Sequence, residues 1–579
     1  MFPQVCKVGG VARNGRLGTC LRAAVSRQFV QPRIKSTMAQ AYPVEYAENI
    51  QDPFEAPLEA AKETFNDWQR GMETTIQNVL DVALAPVEET TKMDFSAAAT
   101  WAATTVPPAE AYTLPPLTYS SDEFYEFEKK TVFSKSWVCI GMSEAVRQPG
   151  DTLVADVGGQ PIFAVRDKKG ELNGFLNVCR HRGSKLVTKN GRNPVISCPY
   201  HRWGYALDGR LLATPMWDTV EGGDRIDKET GERKAPKVRK RKGQVTKETM
   251  TMEQARDEVE KAEQNAIRSQ VDVKACNQMQ GIAAAYDTDH IVGFDKKDFS
   301  LFKVRVDTWG PFTFATLASE DEVPSLEEYL GDAASSLANY PLDELVNVRE
   351  KTYESKANWK LLSENFMEYY HLPSVHPALC EVSTVDNHHR AQGPGMYVGF
   401  VTNPLTNGGT PIDPNVLPSF PGLKGEEVET GVFHQLFPNA FYFLLPSHIF
   451  TVILKPTSAG VTIEQANLLV HPSLLEDAKV KEETAVLNKK LDDMMAFYDM
   501  TNLEDIHICE LVQDGVRATA YQGGRVSYRF EETIHRFQNM LVDHLVGHAG
   551  RVPKGDEAIA YYLGGKEGVD ASSQLQRGE

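Results

Sequence analysis

Two short Cys/His pairs carry the most specific chemistry in this sequence. They are Cys179-Arg180-His181 and, sixteen residues further on, Cys198-Pro199-Tyr200-His201. Each pair offers one thiolate and one imidazole from a tight loop. Such a set suits a [2Fe–2S] cluster in which Cys179 and Cys198 hold one iron and His181 and His201 the other. Imidazole ligation raises the reduction potential above that of an all-cysteine cluster. Cys2His2 is also a zinc set, but a zinc finger usually gathers its cysteines in one half-site and its histidines in the other. Here each half-site is mixed, which favours the cluster. A second constellation lies in residues 364–377, where His371 and His376 stand five apart with Pro373 between them. That spacing predicts the last turn of a helix running into its exit loop. With one distant carboxylate, the two imidazoles would make a two-His-one-carboxylate face on ferrous iron, leaving positions open for O2. A cluster alone is an electron carrier; a cluster with such an iron feeds electrons to oxygen chemistry.

The elements that position these residues can be read from periodicity. Strand-like runs at 172–178 and 194–197 lead into the two loops. Further β-like runs at 137–142, 152–157 and 161–165, with Asp167-Lys168-Lys169-Gly170 as a hairpin turn, predict a small all-β domain over 118–220. Residues 294–550 alternate strand-like runs (302–306, 312–317, 441–445, 449–454, 461–469) with long helices over 475–516 and 531–546. That order predicts a larger α+β domain with an antiparallel sheet and the iron helix packed on it. Between the two lies a charged insertion, 221–293. It contains the basic run 237–242 and a helical stretch, 252–268, with only small apolar residues on one face, and it reads as an exposed excursion. Ahead of the β domain, apolar residues from Leu58 to Leu80 recur at helical steps. A proline-rich segment, 105–117, reads as a linker. Residues 45–117 thus form a helical extension with a linker, and 551–579 a tail.

Composition narrows the function classes. The chain has 579 residues, 41% of them hydrophobic, enough for more than one core. A net charge of −18 argues against a nucleic-acid partner. Eight cysteines, unpatterned outside the cluster pair, fit a reducing compartment. No apolar run reaches 18 residues, so no membrane-spanning helix is expected. Residues 1–44 contain Lys7, Arg13, Arg16, Arg22, Arg27, Arg33 and Lys35 and no acid, which reads as an organellar transit peptide. No G-x-G-x-x-G with a fitting acidic residue, and no flavin motif, is present. Electrons are therefore expected from a separate protein.

On residues 177–182, 198–211, 358–377 and 502–524, the chain resembles the Rieske non-haem iron oxygenases. Within them it is similar to the choline monooxygenase group with its carnitine and glycine-betaine relatives. The resemblance covers roughly 115–220 and 295–550. It implies a Rieske [2Fe–2S] cluster on Cys179, His181, Cys198 and His201, and a mononuclear Fe(2+) on His371 and His376. The family pattern puts the third ligand at Asp505, with Glu504 and Glu510 as alternatives. In the family an acid at the position of Glu368 bridges a cluster-ligating histidine of one subunit to an iron-ligating histidine of the next. The glutamate form resembles the quaternary-ammonium branch. The plainer role for Glu368 is to orient His371 as a hydrogen-bond acceptor. The resemblance further implies a head-to-tail homotrimer and electrons from ferredoxin or a separate NAD(P)H-dependent reductase. The implied reaction is oxidation of choline to betaine aldehyde for glycine betaine synthesis. Oxidative N-demethylation of a betaine-like amine is the alternative, and a Rieske electron carrier is the reading from another class. A quaternary ammonium would be held by aromatic faces. Tyr370 and Tyr442 are the leading candidates for this, beside Tyr369, Phe441 and Phe443. The similar plant enzymes imply a chloroplast stroma location, whereas the arginine-rich start leans towards a mitochondrial matrix.

Overall fold

Two seven-stranded antiparallel sheets and the helices packed on them organise the chain. This computed structural model describes residues 93–215, 251–268, 295–382, 385–390, 392–407, 410–411, 417–477 and 481–552. The expected transit peptide, the periodic stretch from Leu58 to Leu80, the basic run 237–242 and nearly all of the tail from 551 lie outside the described residues. Residues 105–117 are not a free linker. Leu114 is fully buried, and the Thr113 amide donates to the Gly524 carbonyl at 2.9 Å. The prolines here shape turns against the larger domain. Helix α1, Asp122–Thr131, follows. Ser121 caps it by accepting from the Phe124 amide, and acids in its first turn and lysines in its last suit the helix dipole.

The first sheet opens with β1 (Val138–Met142), β2 (Asp151–Val157), β3 (Gln160–Arg166), β4 (Leu172–Leu176) and β5 (Gly191–Arg192). A three-stranded sheet of β6 (Ile196–Ser197), β7 (Gly204–Tyr205) and β8 (Leu211–Ala213) stands beside it. The chain then crosses the insertion, whose helix α2, Met252–Arg268, matches the expected span. It is not an exposed excursion. Ala255 and Val259 are fully buried, and Val259 joins the core that holds Cys179, Cys198 and Trp203. Ion pairs Lys168–Glu263 at 2.8 Å and Arg192–Glu258 at 3.0 Å pin its flanks. Small residues at steps of four let the helix lie close, which a solvated charged helix would not need.

Strands β9 (Lys303–Trp309) and β10 (Phe312–Thr316) return to this first sheet, in the order β1-β10-β9-β4-β3-β2-β5. They were expected to open the catalytic domain. Instead Val304 pairs with Gly174 and Ala315 with Val138. A Cβ at Gly174 would meet Val306 at 2.4 Å, so the β4–β9 approach requires glycine there.

The second sheet contains β11 (Val346–Ser355), β12 (His388–Arg390), β13 (Tyr397–Thr402), β16 (Gly431–Leu436), β17 (Ala440–Leu445), β18 (His448–Ser458) and β19 (Val461–Val470); a short β14–β15 hairpin, Thr406–Asn407 with Thr410–Pro411, stands apart. Its order is β11-β19-β18-β17-β16-β13-β12. Helix α3, Trp359–Phe366, is capped by Asn358, and a one-turn helix α4, Leu372–Val375, comes soon after. Long helices α5, Lys481–Gly515, and α6, Glu532–Leu545, complete the layer. Lys360 of α3 and Glu128 of α1 form a fully buried ion pair at 2.8 Å. The two sheets are stitched by Asn439. Its side chain accepts from the Cys139 amide at 2.9 Å and donates to the Cys139 and Leu454 carbonyls at 3.0 and 2.9 Å. No helix among the described residues is long and apolar enough to cross a membrane.

Candidate active site

The two cluster loops share one backbone design. The Cys179 amide donates to Ser184 O and the Gly183 amide to Cys179 O. In the second loop the Cys198 amide donates to Trp203 O and the Arg202 amide to Cys198 O. The residue four past each cysteine is left-handed, Gly183 at φ 71° and Arg202 at φ 60°. These turns hold both thiols buried and bring the His181 and His201 rings to 4.7 Å. His181 stacks on Trp203 at 4.8 Å, and the exposed Tyr200 lies on His201. Tyr205, which sequence reasoning missed, places its hydroxyl 3.3 Å from the Cys179 sulfur and accepts from the Arg180 amide. The Arg180 guanidinium lies over the Phe302 ring at 3.9 Å and donates to Asp298 O, so the chain after the insertion buttresses the first loop. Burial, His201 and Arg182 hold His181 below the ordinary imidazole range. Two imidazoles beside two buried thiols fit the donor set of a Rieske cluster.

The second site is assembled differently from the expected helix end. Helix α3 stops at Phe366, a turn follows, and His371 caps α4, which Pro373 starts instead of breaking. His376 comes directly after. Glu368 therefore reaches His371 across a turn. One carboxylate oxygen is tightly bonded to His371 Nδ1, and the other accepts from the Tyr370 and His371 amides. Across from them, Tyr498, Asn502, Asp505 and Cys509 recur on α5 at steps of four, three and four, so they share one face. Asp505 Oδ1 lies 2.8 Å from His376 Nε2 and 3.5 Å from His371 Nε2. Donor atoms of the three residues all fall within 4.8 Å of one another. Glu504, next in the chain to Asp505, takes His376 Nδ1 at 2.7 Å. Glu510 accepts from the Lys356 amide, away from this group.

Both Nδ1 atoms are thus engaged by carboxylates, and both Nε2 atoms turn towards Asp505. That is the arrangement in which an outer carboxylate fixes a metal-binding histidine. Burial opposes a charged His371, yet hydrogen bonds to Asp505 and Glu368 outweigh it and push it up to about 9. His376 is raised by the same balance of burial, Asp505 and Glu504. Asp505 is held below the usual carboxylate range by the two imidazoles, against its burial. A site that attracts protons so strongly is charged for a cation, and its two nitrogens and carboxylate fit a mononuclear iron.

The helix-facing side of the second sheet supplies an aromatic floor. Phe400, Phe433, Phe443 and Phe450 stand directly opposite one another on β13, β16, β17 and β18. Their neighbouring rings lie 5.0, 5.2 and 5.8 Å apart. Phe366 stacks on Phe441 and Tyr498 on Phe450, each at 4.2 Å. Phe366, Phe433, Phe443 and Tyr498 keep part of their surface exposed. The Tyr498 hydroxyl is fixed by His448 Nε2 at 2.7 Å, and burial holds His448 neutral by pushing it down to about 3.

The two tyrosines expected to contact substrate are placed differently from one another. Tyr442 is fully buried on the opposite side of the sheet, against Trp309 and Phe312, with its hydroxyl 2.7 Å from His434 Nδ1. Strand alternation turns it away whenever Phe441 and Phe443 face the helices. Tyr370 points outward, 59% exposed, and stacks on Phe530. Tyr369 packs against His388 and Phe400. The aromatic residues missed by sequence, Phe366, Phe433, Phe450 and Tyr498, had one legible signal. Tyr498 lies seven positions before Asp505, two turns along the same face.

Residues 136–222 match the family described as the Rieske [2Fe-2S] domain, and residues 342–547 the one described as the ring hydroxylating alpha subunit catalytic domain. The chain is similar to a carnitine monooxygenase oxygenase subunit of Acinetobacter pittii, with 25% identity over 76% of this chain and 96% of that protein. It is similar to the chloroplastic choline monooxygenase of Spinacia oleracea, with 24% identity over 75% of this chain and 79% of that protein. A solved quaternary ammonium Rieske monooxygenase, CntA in complex with L-carnitine, superposes with a TM-score of 0.51 at 21% identity, covering 77% of this chain and 97% of that one.

Proposed function

This chain belongs to the Rieske non-haem iron oxygenases, and on that footing we propose that it oxidises a small quaternary ammonium compound, choline to betaine aldehyde in the first place. As a Rieske monooxygenase it uses a [2Fe–2S] cluster and a mononuclear iron, and it takes its electrons from a reductase or ferredoxin. Cys179, Cys198, His181 and His201 would hold the cluster, and His371, His376 and Asp505 the iron. Bound there, the iron supplies the open coordination face at which O2 is activated. The protein's own residues do the rest. Glu368 and Glu504 hold the two imidazoles in one tautomer and orientation.

The observation that carries the substrate reading is charge matched to aromatic surface. Glu368, Glu504 and Asp505 together exceed the charge of a divalent ion by one. A single cationic substrate would offset that excess. The partly exposed rings of Phe366, Phe433, Phe443 and Tyr498 would offer cation–π contacts of about 0.5–2 kcal/mol each. Choline is favoured over carboxylate-bearing relatives because a carboxylate needs a cation of its own. Arg390, on the helix-facing side of the sheet, is already paired with Glu532.

The test is reconstitution of the purified chain with ferredoxin and a reductase, NAD(P)H and O2, screening choline, glycine betaine, carnitine and neutral aromatics. Betaine aldehyde from choline is the expected product. Formaldehyde released from betaine would replace hydroxylation by N-demethylation, and turnover of neutral aromatics alone would refute the quaternary-ammonium reading. The same reading includes a head-to-tail homotrimer, checked by light scattering. It also includes import into an organelle, the chloroplast by the name of the spinach relative, checked with isolated chloroplasts and mitochondria.

A further inference from the structure

We propose that Tyr498 is the residue that seats the cationic head of the substrate, and that Ser447 and His448 are positioning residues that tune its ring for that charge. This deepens the quaternary-ammonium reading of the site and rests on it. The device starts in a turn. Leu445 pairs with His448, so Pro446 and Ser447 make a two-residue hairpin between β17 and β18. The Phe420 amide fixes the turn by donating to the Pro446 carbonyl at 2.7 Å. His448 and Phe450 then fall on one side of β18, because strand side chains alternate. Tyr498 of α5 reaches both. Its hydroxyl lies 2.7 Å from His448 Nε2, and its ring lies flat on Phe450, 4.2 Å away and 5° from parallel. At the far side of the imidazole, His448 Nδ1 lies 2.9 Å from Ser447 Oγ. His448 is 1% exposed, so water does not compete for either nitrogen.

The order of protons along this chain follows from its chemistry. Burial pushes His448 down to about 3, so the ring is neutral and carries one N–H. A phenol is a better donor than acceptor, since its ring draws on the oxygen lone pair, whereas an alkyl hydroxyl accepts readily. That preference puts the N–H on Nδ1, donating to Ser447, and leaves Nε2 to accept from Tyr498. A phenol that donates gains electron density on its oxygen and ring, and linked hydrogen bonds polarise one another in the same sense. An electron-richer ring attracts a cation more strongly. With Ser447 and His448 behind it, Tyr498 is a better cation seat than a phenylalanine in the same place. Phe450 covers one face of the ring, so a cation would meet the other. Position agrees with this use. Phe443 stands 6.1 Å from Tyr498 and 4.7 Å from Phe366, between α5 and the end of α3. Phe366 lies five residues before His371, and Tyr498 seven before Asp505. Seven helical residues rise about 10 Å. A cation held within about 6 Å of the Tyr498 ring leaves only a short span to the iron ligands. That span fits a head joined to its reacting carbon by few bonds. An uncharged head of the same shape would fill the same space without the attraction. Tyr498 therefore discriminates by charge and not by size.

Calorimetric binding to the resting holoenzyme, without reductant, tests this. Choline is compared with 3,3-dimethylbutan-1-ol, its uncharged carbon analogue of the same shape. All variants should keep the visible cluster absorption and bound iron. The parent should bind choline more tightly than the analogue. Tyr498→Leu should cut that preference about 2–30-fold, the reach of one cation–π contact. Tyr498→Phe, which keeps the ring and loses the bond to His448, should fall between the two. His448→Leu should match Tyr498→Phe, while His448→Gln, whose amide oxygen accepts from the phenol, should restore the preference. Equal losses for choline and analogue in Tyr498→Leu would make Tyr498 a packing residue and overturn the proposal. A parental preference in Tyr498→Phe would overturn the part given to Ser447 and His448. If His448→Leu fails to fold, Tyr498→Phe decides, since it deletes a single oxygen. Tetramethylammonium separates the seat from the choice of substrate. If it binds the parent and weakens in Tyr498→Leu while choline is not turned over, the seat stands and choline falls. A parent that binds neither cation, or binds the analogue as tightly as choline, overturns both.

Discussion

Glu504 and Asp505 are chain neighbours with different duties at one imidazole. Asp505 shares the Nε2 side of His376 with His371, while Glu504 holds its Nδ1. Asp505→Ala should lose mononuclear iron and turnover but keep the cluster absorption. Glu504→Gln should retain an iron site weakened about 10–100-fold, the usual cost of losing an outer carboxylate. Iron content after gel filtration checks both, and the reverse pattern would move the ligand to Glu504. A pH prediction falls on Glu364, whose carboxylate accepts from Tyr119 and from Gln538 Nε2 at 2.8 Å. Burial pushes it from 4.5 up to about 7. The folded protein then binds this proton more tightly than the unfolded chain, so its contribution to stability falls as pH rises from about 4.5 to about 7. Glu364→Gln should flatten the dependence of Tm on pH across that window; an unchanged slope would show that Glu364 is not the titrating group. At this scale the sequence was most readable where residue types are rare in combination: the four cluster ligands, His371 and His376. Asp505 was reachable only through resemblance, since one acid on a charged helix carries no signal of its own. Tyr442 could not be assigned, because strand alternation splits residues into two faces without saying which one meets the helices.

Element by element, hydropathy periods located most strands of the first sheet, β17, β18 and β19 of the second, and α2 to its ends, but left β11, β12, β13 and β16 unread, and pairing is not a local property. The strands at 303–316 were legible as strands and not as members of the first sheet. The docking of α2 was hidden because alanines and one valine look weak beside its charges. The buried pair of Lys360 and Glu128 was equally silent, for nothing in the sequence says that a lysine of α3 lies under α1. Burial raises Glu128 and lowers Lys360, and each opposes that shift in the other. Lys360→Met alone should cost about 3–5 kcal/mol, because it strands a buried carboxylate. Adding Glu128→Leu should restore most of the loss. Denaturant unfolding of the two variants measures this. A double variant as unstable as the single one would mean that the pair itself, and not the stranded charge, holds α1 to α3.

Among the described residues, one polar side chain makes several of the bonds that join the two sheets. Asn439 satisfies both backbone groups of Cys139 in β1 and the Leu454 carbonyl in β18. Asn439→Ala should cost roughly 1–3 kcal/mol for each buried group left without a partner. It should also split one unfolding transition into two, followed by loss of cluster absorption and by far-ultraviolet circular dichroism. A single coincident transition in the variant would show that packing alone couples the sheets. The order of the first sheet has a consequence in time. Its cluster loops are complete by β8, but β9 and β10, which close the sheet, lie some ninety residues later in the chain. At ribosomal rates of about 5–20 residues per second, the nascent cysteines wait roughly 5–20 s before their scaffold can close. Metal loading is therefore a late event in the birth of this protein. A gene fragment that stops at the end of the three-stranded sheet should yield a chain that cannot retain its cluster.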